Sequence, residues 1–237
     1  MKKNCLLCFL LFFSCHSAFA GESLDSLLNV LDKTIKEADT YVQIKENKLH
    51  ELKKEARKTP PFSVERYNLN NDIYLEYKAY SSDSALHYLN ENMLLARQLN
   101  DKERELKIQL ELSYLLSSIG MYMEAADILN LIDRQTLPSS LLGHYYTCYE
   151  HVYFEAGAAQ PRYKMFASRY VKLSHAYRDS MQVTLDPSSA TYLWLRETQL
   201  REAGKYDEAL EFSDRRLAES SFGTPQYALV DYQRFRL

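Results

Sequence analysis

The chain has 237 residues, 46% hydrophobic and 26% charged, enough to bury a substantial core. Six Gly and six Pro are too few for a loop-rich or low-complexity chain, and a formal net charge of −3 leaves no electrostatic footprint for nucleic acid. Scarce helix breakers and nineteen Tyr, fillers for helix–helix seams, predict an all-α fold.

Residues 1–20 read as a secretory leader. Lys2 and Lys3 give the positive start, Leu6 to Phe13 an apolar stretch too short to span a bilayer, and Ala18-Phe19-Ala20 an A-x-A cleavage site. A rival reading makes Cys15 a lipidated cysteine. No other stretch is apolar enough to cross a membrane, so the expected location is outside the cytoplasm, in the periplasm or on the periplasmic face of the inner membrane. Cys5, Cys8 and Cys15 all lie in the leader, which leaves Cys148 without an intramolecular disulfide partner.

Residues 21–59 form one long amphipathic, coiled-coil-like element. Leu24, Leu28, Leu31, Ile35, Ala38, Val42, Lys45, Leu49, Leu52 and Ala56 alternate steps of four and three, a heptad pattern. Lys45 on that seam weakens a coiled coil while fixing its register. Thr59-Pro60-Pro61 ends the helix. Two readings stay open: a cap on the helices that follow, or a homodimeric coiled coil through residues 23–58.

Residues 62–222 read as a helical array. Phe62 to Tyr80 is a helix with Ser63 as N-cap. Ser82 or Asp83 opens the next, which runs through Leu99 and buries Leu86, Leu89, Met93 and Ala96. Asn100-Asp101 breaks and recaps the chain. Leu106 to Pro138 is the clearest hairpin. Its first helix carries Leu106, Leu110, Leu112, Leu115, Leu116 and Ile119, its second Tyr122, Ala125, Ala126, Leu129 and Ile132, at helical spacing. Gly120 sits where a left-handed residue ends a helix. Leu141 to Ala156 and Arg162 to Met181 make a degenerate pair, Asp186-Pro187-Ser188 starts another with Trp194, and Thr224-Pro225 caps a further helix at 225–237. That last helix stops mid-pattern at Arg234-Phe235-Arg236-Leu237, and the expectation is a chain shortened at this end.

The array repeats itself. Gly120-Met121-Tyr122-Met123-Glu124-Ala125 returns as Gly204-Lys205-Tyr206-Asp207-Glu208-Ala209, a G-x-Y-x-E-A turn, with a fainter copy at Tyr80-Ser81-Ser82-Asp83-Ser84-Ala85. Ala85 and Ala125 are 40 residues apart and Ala125 and Ala209 are 84 apart, which predicts a missing copy near Ala167 and about four hairpins at a period of 40–42. The structural repeat turns are therefore Gly120, Tyr122, Ala125, Gly204, Tyr206, Ala209, Asp83 and Ala85. Two departures stand out. Glu197 occupies the position seven before Gly204 where Ser113 precedes Gly120, and the third copy has no glycine turn, Ala156-Gly157-Ala158-Ala159 being the nearest sequence.

The G-x-Y-x-E-A turn with a small residue seven before its glycine resembles the tetratricopeptide repeat (TPR). SLDSLLNVLDKTI, ELKKEA, YLEYKAYSSDSALHYLNENMLLARQLNDKE, SIGMYMEAADILN and KYDEALE together look like a family of exported bacterial TPR proteins. The resemblance implies a right-handed α-solenoid, no catalytic residues, and longer relatives that continue into a membrane helix and a cytoplasmic coiled-coil or DNA-binding region.

His144, Cys148 and His151 share one helical face and are metal-ligand types, the basis of an alternative reading as an envelope metalloprotein or enzyme. One helix supplies only three ligands, whereas structural zinc gathers four from two elements. Tyr145, Tyr149 and Val152 mark this face as a packing seam. His50, His87 and His175 are isolated. No nucleophile elbow, zincin, Walker or dinucleotide motif occurs, and Asp and Glu read as solvated helix faces. The expectation is no catalytic residue, no cofactor and no metal. The function expected is a groove that binds a protein segment or another ligand in the envelope, the sensory part of a membrane-anchored regulator. The alternative is an assembly scaffold dimerising through the N-terminal helix. Membrane contact is expected only through a missing C-terminal extension or a lipid anchor.

Overall fold

The computed structural model describes residues 28–29, 32–33, 35–159, 162–221 and 224–235. The leader, its three cysteines and its lipidation alternative lie outside these residues. The chain separates into two compact units, Met1–Lys58 and Thr59–Leu237.

In the first unit the described helix is α1, Ala38–Lys58. Of the heptad positions, Leu24 and Leu31 lie outside the described residues; Leu28 and Ile35, before α1, and Val42 within it are exposed, and Leu49 and Ala56 are buried.

The second unit holds α2 (Val64–Tyr77), α3 (Ser82–Gln98), α4 (Lys102–Ser118), α5 (Tyr122–Asn130), α6 (Ser139–Ala158), α7 (Lys164–Thr184), α8 (Ala190–Glu202), α9 (Tyr206–Ala218) and α10 (Pro225–Phe235), with no strand among the described residues. Four pairs, α2/α3, α4/α5, α6/α7 and α8/α9, form helical hairpins. Each packs only on its neighbours in sequence: α4 against α3 and α6, α5 against α6, α8 against α7, and α10 against α9. This is an all-α solenoid of helical hairpins, in which no pair buries its own apolar face.

Local chemistry sets the bends. Ser63, Asp101 and Ser189 accept the backbone N–H of Arg66, Arg104 and Tyr192, the N-cap bond that satisfies an otherwise orphaned donor. Ser82 starts α3, but Ser81 at its N-cap makes no side-chain cap bond. Gly120 and Gly204 have φ of 89° and 74°, and Asn100 one of 53°. After each, an amide N–H reaches back five residues: Asp101 to Ala96, Met121 to Leu116 and Lys205 to Leu200, each at 2.9 Å. Left-handed residues with this bond end helices where Cβ is absent or the side chain is Asn.

Ala85, Ala125 and Ala209 are fully buried where the second helix of a hairpin crosses the first. Ser113 donates to the Ala125 carbonyl at 2.9 Å, so the small residue is also a clasp. The equivalent clasp in the fourth hairpin is a buried ion pair, Glu197 with Arg216. The acid in place of a small residue is thus accommodated by a cation on α9.

The third hairpin reverses without a left-handed glycine, as its sequence suggested. Gly157 is buried inside α6, and a Cβ there would lie 3.4 Å from the Tyr170 Cβ of α7. The glycine lies within the helix rather than at its reversal, with room for a Cβ, and Ala167 is only half-buried.

Several expected core positions also shift. Ile119 is 40% exposed because it lies at the bend, and Leu86, Met93, Leu106 and Leu112 are only partly buried. Leu95, Ile108, Ser113 and Ser117 are buried in addition. The continuous core runs from Leu110 and Leu116 through Leu129, Leu141, Tyr145, Tyr149 and Val152 to Met181 and Leu195.

Candidate binding surface on the first helices

The first helices of the first three hairpins, α2, α4 and α6, carry a joined set of polar and aromatic side chains. Glu111 of α4 is its centre. Its carboxylate accepts from the Tyr74 hydroxyl of α2 at 2.7 Å and from the ammonium of Lys78, the residue that caps α2, at 3.2 Å. The other oxygen faces His144 Nε2 of α6 at 3.7 Å. Burial pushes the Glu111 pKa up, but Lys78, His144 and the Tyr74 hydrogen bond outweigh it and hold the carboxyl below its usual value. His144 is shifted down, mainly by burial, against the pull of Glu111.

One turn along, the Lys78 ammonium sits 4.5 Å from the Tyr114 ring centroid. That ring stacks on His151 at 3.9 Å and 9°. His151 Nε2 lies 2.9 Å from the Ser118 hydroxyl. Burial, then Lys78, lowers its pKa to about 4, so the ring is neutral near pH 7. A layer of cation, phenol and imidazole thus spans three hairpins. Glu111 and His151 are each 15% exposed at the side chain, His144 28% and Lys78 32%, so these groups are held in place yet reachable. A cleft of about 360 Å³ opens beside the starts of the same helices, lined by Tyr67, Asn68, Arg104, Lys107 and Leu141 among others.

The histidine–cysteine face is drawn apart by its partners. Cys148 is fully buried and its thiol donates to the Leu110 carbonyl at 3.3 Å, while burial pushes its pKa up. His144 turns to Glu111 and His151 to Tyr114. Among the described residues no three His, Cys, Asp or Glu side chains gather as a metal-binding group.

Not every acid is solvated, as the sequence suggested. Glu111, Glu150 and Glu197 reach across helices. Glu150 of α6 accepts from Ser174 at 3.0 Å and Arg178 at 2.8 Å on α7, and Arg178 continues to Glu202 of α8 at 2.8 Å. A usable signal was present: Glu150 lies four residues after Tyr146, in phase with a buried stripe, where a solvated acid does not belong. The repeat turns lie elsewhere. Tyr122 is half-buried, Tyr206 is 52% exposed, and Asp83 is exposed at the start of α3.

Two comparisons bear on this arrangement. The family described as the SusR N-terminal TPR domain matches residues 35–237. A search of curated proteins finds no match.

Proposed function

The chain belongs to the SusR N-terminal TPR domain family, and on that premise we propose a binding module of the cell envelope whose first-helix surface receives a protein segment. TPR modules typically act as non-catalytic protein-interaction scaffolds, which supports protein binding as the coarse function. The finer reading is the sensory half of a membrane-anchored regulator. Its mechanism is differential affinity: a partner that binds one arrangement of hairpins better draws the solenoid to it.

The observation that carries the reading is the set Tyr74, Lys78, Glu111, Tyr114, His144 and His151. Donors, an acceptor and aromatic faces are fixed by mutual bonds while remaining partly open to solvent. Such preorganisation lowers the ordering cost of binding. The test is a peptide-display selection against the chain, followed by hydrogen exchange of the complex. Protection over α2, α4 and α6 is expected; selected peptides that protect only α3, α5 and α7 overturn the assignment of the surface. The envelope location is tested by fractionating cells and sequencing the N-terminus. Gly21 in the periplasmic or membrane fraction is expected, and an intact Met1 in the cytosol overturns it.

The scaffold reading, with a homodimer through residues 23–58, is supported by one observation. Leu28, Ile35 and Val42, seven residues apart, are 49%, 62% and 47% exposed. Light scattering of the whole chain decides it: a monomer at high concentration removes the dimer.

A further inference from the structure

The third hairpin carries a charge asymmetry that the binding surface does not use. Between Glu155 and Asp179 the chain has no acid, yet it contains Arg162, Lys164, Arg169 and Lys172, all exposed. In a chain of 29 basic and 32 acidic residues this is a marked local excess. Among the described residues no ion pair engages these four cations, whereas Arg178, further along α7, is buried between Glu150 and Glu202. Set among them are large apolar side chains left in solvent: Tyr163 at 65% exposure, Met165 at 75%, Phe166 at 46% and Val171 at 46%. Met165, Arg169 and Lys172 follow the i, i+4, i+7 spacing of one helix face, and Ser174, Arg178 and Met181 are the buried residues of α7.

We propose that this end of the third hairpin, the start of α7 with Tyr163, is a peripheral contact for an anionic lipid surface. The two halves of the observation demand one partner. Unpaired cations call for negative charge, and Tyr163, Met165 and Phe166 call for an apolar phase just beneath it. An anionic bilayer supplies both within one headgroup depth, which is how a basic amphipathic helix seats at an interface. A hydrophilic polyanion answers only the first demand. No described helix is long and apolar enough to cross a membrane, so the contact is interfacial. It is independent of the first-helix surface, and its failure leaves that reading untouched.

The experiment is co-sedimentation of the chain from Gly21 onward, which retains all ten described helices, with unilamellar vesicles. One set is phosphatidylcholine with 30% phosphatidylglycerol, chosen as the probe, and the other is phosphatidylcholine alone. Binding to the anionic vesicles is expected, weakening as salt rises. Each cation near such a surface contributes roughly fivefold in partitioning, so Lys164→Glu with Arg169→Glu and Lys172→Glu should lower it by more than a hundredfold. Met165→Ser with Phe166→Ser should lower it at least tenfold at unchanged charge. Both variants alter exposed side chains and should melt with the parent. No sedimentation with anionic vesicles, or equal sedimentation of the charge variant, overturns the proposal. If the serine variant binds as the parent does, and polyglutamate displaces both, the surface takes an acidic polymer and the lipid assignment falls.

Discussion

His151 lies flat on Tyr114 inside a layer that also holds Lys78, and that neighbourhood fixes its titration. Its pKa is lowered from 6.5 to about 4. The unfolded chain therefore binds a proton between those values that the folded chain refuses. The stability His151 contributes is fully present above pH 6.5, declines as pH falls and is lost near pH 4, on the order of 3 kcal/mol. His144, also shifted down by burial, acts in the same direction as pH falls below the ordinary histidine value, and Glu111 acts lower, its carboxyl being held down in the fold so that its contribution fades as pH falls below the ordinary carboxylate value. His151→Phe keeps a ring against Tyr114 and removes the proton site. Its melting temperature should change much less between pH 6.5 and pH 4 than that of the parent. Parallel melting curves across that window would assign the acid sensitivity to other groups.

At the scale of elements, two glycines inside α6 separate helix propensity from helix approach. A Cβ at Gly143 would lie 2.8 Å from Leu185 Cδ2 and 3.3 Å from the Thr184 carbonyl oxygen. At Gly157 the nearest neighbour is the Tyr170 Cβ at 3.4 Å, an ordinary contact. Alanine gains roughly 1 kcal/mol of helix propensity over glycine. Gly157→Ala should therefore be neutral or slightly stabilising, while Gly143→Ala loses that gain to overlap and should cost about 1–2 kcal/mol. Urea denaturation of the two variants checks the sign at each position. The short turn at Gly120 is a different case, since a φ of 89° with no atom within 4 Å penalises alanine through backbone alone.

For the solenoid as a whole, the weak point is the joint between the third and fourth hairpins. α4 packs on α6, but α8 meets α7 rather than α6. The joint rests on Arg178, which binds Glu150 and Glu202 and lies 6.0 Å from the Trp194 ring, together with Leu195 and a Gln199–Gln182 hydrogen bond. In a stack with nearest-neighbour coupling, loosening one interface lets the two sides unfold separately. Arg178→Met leaves Glu150 buried without its cation, and breaking a buried pair this way costs about 3–5 kcal/mol. Trp194, the one tryptophan, reports on the fourth hairpin. In the variant its fluorescence should change at lower urea than the helical circular dichroism, and Arg178→Met with Glu150→Gln should narrow the gap. Coincident transitions would show that the apolar contacts alone hold the joint.

By itself the sequence determined the fold class and the repeat. Spacing of apolar residues, left-handed glycines and N-caps act over one or two helical turns, so they are written locally. The histidine–cysteine face shows the limit of that logic. Spacing placed His144, Cys148 and His151 together, and neighbours from α2 and α4 then separated their roles. Only the tertiary structure decided which acids are buried, why Gly157 is a contact rather than a bend, and that Tyr74, Lys78, Glu111 and His144 form one network. Those outcomes depend on residues from 13 positions apart (Gly157 and Tyr170) to 37 (Tyr74 and Glu111) meeting across helices, and a periodic pattern says which side of a helix is inward but not which neighbour it meets.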